Sequence, residues 1–71
     1  MAKSTDSVIS IVRAGGNVII GEQHSTDSVI SIVRAAVQSG AHVTVKEGNK
    51  STDSLVSIAR AGKSSVTFDL T

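Results

Sequence analysis

Seventy-one residues, with seven Lys or Arg against six Asp or Glu, make a chain of net charge +1 that is sized for one small domain. That balance removes the electrostatic case for nucleic acid or an anionic lipid surface. Without Cys, Trp, Tyr or Pro, and with Phe68 as its only aromatic, the chain has no disulfide framework, no thiolate metal site and no platform on which bases could stack.

The chain repeats itself. Ser4-Thr5-Asp6-Ser7-Val8-Ile9-Ser10-Ile11-Val12-Arg13-Ala14 returns unchanged over 25–35, and returns again from Ser51 to Ala61 with Leu55, Val56 and Ala59 as its variations. Val8, Ile9, Ile11 and Val12 fall at i, i+1, i+3 and i+4, a spacing that gathers on one side of a helix and that a strand would split between two faces. Ser4 is placed to cap the free N–H groups, Asp6 lies in the positive first turn and Arg13 in the negative last turn. Gly15 and Gly16 follow as a left-handed stop. The β-branched content of Val-Ile-Ser-Ile-Val keeps an all-β chain as the competing reading.

Val18-Ile19-Ile20 then predicts a short strand. A second helix begins at Ser25, with Ala36-Val37-Gln38-Ser39 as surplus over the first unit. Val43 and Val45 alternate with Thr44 and Lys46, which is the period of a strand with one apolar face. The third helix starts at Ser51, where Leu55 and Ala59 replace Val29 and Val33 and raise helix propensity, and Gly62 is expected to stop it in the left-handed conformation. Val66, Phe68 and Leu70 share one face of the final strand, opposite Thr67, Asp69 and Thr71.

These elements predict a single domain over 1–71, with units 4–24, 25–50 and 51–71. Strands separated by a helix pair in parallel through right-handed crossovers, and strands with only one apolar face need helices on only one side. The expected fold class is α/β, with three tandem helix–strand repeats, a three-stranded parallel sheet and all helices on one face as a short solenoid. In period and element order this resembles the leucine-rich repeats, and the resemblance implies a scaffold or protein-binding role. The identity of 4–14 with 25–35 is similar to what artificial, consensus-built repeat proteins display; a natural bacterial repeat fragment is the competing origin.

The chemical motifs favour local roles. Ala61-Gly62-Lys63-Ser64-Ser65 looks like the tail of a phosphate-binding loop, but it runs from helix into strand, the wrong polarity for a helix N-terminus to face a phosphate. Gly48-Asn49-Lys50-Ser51-Thr52 has the right polarity, and Lys50 beside the second and third helix N-termini is a weak anion candidate that capping alone also explains. His24, Ser25 and Asp27 are too close along one turn to align as a hydrolytic triad. His24 with Glu22, or His42 with Glu47, offers two metal ligands where zinc wants three or four, so both histidines are expected at the surface. Arg13, Arg34 and Arg60 form one row and Asp6, Asp27 and Asp53 another, read as solvated faces with a partner-binding face as the lesser reading.

The composite expectation is a structural, self-associating scaffold of engineered or de novo origin, without catalysis or cofactor; a natural protein–protein interaction module is the alternative. The terminal units repeat the apolar pattern of the middle one instead of presenting a polar cap, and the last strand lacks Pro or Lys to discourage pairing. Val8, Ile11, Leu55, Ile58, Val66, Phe68 and Leu70 are the residues expected to carry self-association. The expected partner is the chain itself, as a two-fold homodimer or a higher homo-oligomer, with no nucleic acid, membrane or small-molecule substrate. No apolar run approaches the roughly 18 residues of a membrane span and no leader pattern opens the chain, so a soluble protein, cytoplasmic if made in a cell, is expected.

Overall fold

Serine at three equivalent positions starts three helices. In a computed structural model, which describes residues 4–21, 24–46 and 50–69, helix α1 spans Thr5–Arg13, α2 spans Thr26–Ser39 and α3 spans Thr52–Gly62. Ser4, Ser25 and Ser51 precede them in extended backbone, and each hydroxyl accepts a hydrogen bond at 3.2 Å from the backbone N–H three residues on, at Ser7, Ser28 and Ser54. Each bond satisfies one of the donors that a helix start leaves free.

The three helix ends are solved differently. After α1 the chain closes a Schellman turn: Gly15 N–H donates to the Val12 carbonyl at 2.9 Å and Gly16 N–H to the Ile11 carbonyl at 3.0 Å, with Gly15 at φ 93°. Gly16 is not in the left-handed region. It is held to glycine by space, since a Cβ there would stand 2.9 Å from Ile11 Cγ2. Gly40 ends α2 at φ 76°. The end of α3 corrects the sequence expectation, because Gly62 sits at φ −90° inside the helix and Lys63 carries the positive φ of 51°. A Cβ on Gly62 would lie 3.0 Å from Val33 Cβ and 2.9 Å from Val66 Cγ1, so this glycine is required by close approach and the reversal falls on the next residue. A 3-10 turn over Lys63–Ser65 leads into the last strand.

Because Gly15 has nothing within 4 Å of an added Cβ, its substitution isolates the backbone strain. Gly15→Val should destabilise the chain by more than about 1 kcal/mol in urea unfolding, as a branched side chain in the left-handed region must. A neutral result would mean that α1 does not end in that conformation.

Strands β1 (Val18–Ile20), β2 (Val43–Lys46) and β3 (Val66–Asp69) form a parallel sheet in the order β1-β2-β3. Val18, Val43 and Val66 stand side by side, followed by Ile19, Thr44 and Thr67, and then by Ile20, Val45 and Phe68. The first and third of these rows face the helices. The middle row lies on the open face, where Ile19 is 71% exposed. Helix α2 packs between α1 and α3, and its Val29, Ile32 and Val33 form the wholly buried centre of the core with Val12, Val43, Val45 and Ile58. The molecule is thus α/β in two layers, helices over one face of a parallel sheet, as the one-sided strands require.

Side chains tie the first unit to the second. Ser39, at the end of the extra turn of α2, donates to the Val12 carbonyl at 2.7 Å. Asn17 Oδ1 accepts from His42 N–H at 2.7 Å, and Lys50 Nζ donates to the His24 carbonyl at 3.0 Å. Among the described residues no helix is long and apolar enough to cross a membrane.

Candidate self-association surface

Equivalent residues in the three helices should have equivalent surroundings unless a neighbour is missing, so the repeat supplies its own control. Ile11, Ile32 and Ile58 share one helical position. Ile32 and Ile58 are wholly buried, whereas Ile11 is 43% exposed. Val8, Val29 and Leu55 share another, and there the first two are buried and Leu55 is half-exposed. Val12, Val33 and Ala59 follow the second pattern, again with the residue of α3 left partly open.

The two patterns have one geometrical cause. The isoleucine position points back towards the preceding helix, which α1 lacks. The Val8 and Val12 positions point forward towards the following helix, which α3 lacks. The 3.0 Å approach of a Gly62 Cβ to Val33 Cβ marks that forward side of α2 as the one that α3 covers.

This separates the seven residues expected to carry self-association. Ile11 is exposed and Leu55 partly exposed, at opposite ends of the row. Val8 and Ile58 are corrections: both are buried within the chain, Val8 by α2 on its forward side and Ile58 by α2 on its backward side, so neither is open to a partner. Val66 and Phe68 are half-buried where their β2 counterparts Val43 and Val45 are wholly buried, since β3 has a neighbouring strand on one side only. Leu70 lies outside the described residues. Ile19, expected from the sequence as the apolar exception on the polar strand face, is exposed on the open side of the sheet; Val37 and Val56 on the helices are exposed too.

The polar candidates fall into structural roles. His24, expected at the surface, is 4% exposed: it precedes the N-cap of α2 and is covered where α1 begins, with Nδ1 3.2 Å from Thr5 Oγ1 and Nε2 buried without a hydrogen-bond partner. The partially exposed His42 places Nε2 2.6 Å from Thr67 Oγ1 across the sheet. Glu22 and Glu47, the proposed second ligands, lie outside the described residues. Lys50, the anion candidate, is engaged with the His24 carbonyl, and Ser25 and Ser51 are engaged as caps. Arg13, Arg34 and Arg60 are all exposed, as are Asp6, Asp27 and Asp53. Among the described residues no three acidic or histidine side chains gather, and their surface holds no pocket.

Among the described residues the helix–strand units lie side by side, with Ile11 exposed at one end and Leu55 and Ala59 partly exposed at the other. No family model, curated protein or solved structure matches the chain.

Proposed function

We propose that the chain is a structural α/β repeat scaffold that associates with copies of itself and has no catalytic role. One observation carries the reading: Ile11 and Ile32 hold the same place in two identical eleven-residue segments, yet one is 43% exposed and the other wholly buried. Among the described residues α2 is flanked by a helix on either side and α1 on one side only. A chain of 71 residues also has little stability in reserve, because an ordering entropy of about 1.5 kcal/mol per residue nearly cancels what its small core supplies. Covering the open flanks enlarges that core. The exact recurrence of 4–14 at 25–35 supports an engineered or de novo origin, since drift would erode such identity.

Sedimentation equilibrium at micromolar concentration tests this reading. The expected mass is at least twice the 7.3 kDa of one chain. A folded chain that keeps the monomer mass as concentration rises overturns it. A natural interaction module is the second reading, favoured by the exposed Ile19 on the open sheet face; selective capture of a different protein by a monomeric chain would support it.

A further inference from the structure

We infer that copies join head to tail, the α3–β3 end of one chain receiving the α1–β1 end of the next, so that helix–strand units continue in one unbroken row. This rests on the self-association reading and adds the surfaces, their polarity and their register.

The interface already exists twice within the chain. At the first joint α1 packs on α2, and Val8, Val12 and Ile32 are all buried; at the second α2 packs on α3, and Val29, Val33 and Ile58 are all buried. What is left over is a backward-pointing Ile11 at one end and a forward-pointing Leu55 and Ala59 at the other. These are the two halves of a third joint of the same kind. A two-fold pairing would set like against like, Ile11 against Ile11 or Leu55 against Leu55, a contact for which the chain holds no precedent, and it would leave the opposite end open.

The strands agree with the helices. Among the described residues β1 and β3 are the two edges of the sheet, each with a neighbouring strand on one side. The register Val18–Val43–Val66 continues naturally to Val18 of the next copy, which sets Thr67 beside Ile19 and Phe68 beside Ile20. Inward-facing apolar residues then meet inward-facing apolar residues, and the partly open Phe68 gains the cover that Val45 has inside the sheet. The new joint lacks side-chain ties that the first joint has. The Ser39 bond to the Val12 carbonyl belongs to the extra turn of α2, and α1 has no such turn. The joint between copies is therefore weaker than the first joint within a chain.

Two blocking variants test the polarity. Ile11→Arg closes the backward end and leaves the forward end intact; Leu55→Arg does the reverse. Circular dichroism and thermal unfolding establish that each variant is folded, and Ala59→Arg replaces Leu55→Arg if the latter is not. The expected result is that wild type forms species beyond two chains as concentration rises, each variant alone sediments as one chain, and an equimolar mixture sediments as two chains and grows no further. If Leu55→Arg remains a dimer while Ile11→Arg is monomeric, or the converse, the chains pair two-fold through one end and the head-to-tail inference is overturned while self-association stands. A mixture that stays monomeric overturns it as well. A monomeric wild type overturns both.

Discussion

Truncating Ile32 to alanine should lower the unfolding free energy by about 3 kcal/mol, within the roughly 2–5 kcal/mol range of buried Ile-to-Ala changes. The same truncation at Ile11 should cost about 1 kcal/mol in dilute protein, where a half-covered side chain loses a modest transfer term and water fills the space it leaves. The two residues share identity and position in the repeat; they differ in cover and in the helix that follows them, since α1 ends at Arg13 and α2 continues to Ser39. For 71 residues a total stability on the order of 4–10 kcal/mol is expected, and the Ile32 variant would therefore be close to unfolding. Urea titration of both variants at low concentration gives the comparison. Equal costs at the two sites would mean that α1 and α2 do not differ in cover as described.

Gly62→Val should cost about 2 kcal/mol or more. Gly62 has ordinary helical backbone, so helix propensity alone would make replacement favourable by a few tenths of a kcal/mol. Space decides otherwise: the added Cβ would stand 3.0 Å from Val33 Cβ on α2 and 3.0 Å from Val66 Cβ at the start of β3. Neither neighbour is the free end of a flexible side chain. Relief requires moving α3 away from α2 or bending the start of β3, and overpacking of this kind costs about 1–3 kcal/mol before branched substituents are added. Gly40→Ala provides the contrast, with a left-handed φ and open space, and should cost about 1 kcal/mol. If Gly62→Val proved neutral, the third helix would not pack as closely as the distances require.

The helices were legible in the sequence because their signals are local. A serine three residues ahead of the N–H it caps, a 3.6-residue apolar period and a glycine at φ 93° all act within a few residues of one another. The one-sided strands then led to two layers through the need to bury one apolar face. What could not be read was direction between neighbours. Val8 and Ile11 are both apolar and on the same helix, and only the placement of α2 decides that the first is covered and the second is not. The same holds for Ile58 and Leu55 on α3. Gly62 was misassigned for a related reason: a glycine at a helix end suggests a left-handed turn, and here the space beside Val33 claimed it and passed the turn to Lys63. His24 lies next to polar residues in the chain, and its burial depends on Thr5, nineteen residues earlier.

The two layers of the stack do not advance at the same rate. Neighbouring helices need about 8–10 Å between axes and neighbouring strands about 4.8 Å, a mismatch of some 4 Å per step between layers about 10 Å apart. Each unit is therefore a wedge, with its thin side at the strands, turning roughly 20–25° from the one before. In an extended row the curvature would bring the path back to its starting direction after about 15 units, or about five chains, while the right-handed strand twist lifts each step out of the plane. Such a row would be a coil with the sheet as its inner wall. Ile19, Thr44 and Thr67, already aligned across one chain, would line that concave wall as a recurring stripe of one isoleucine to every two threonines.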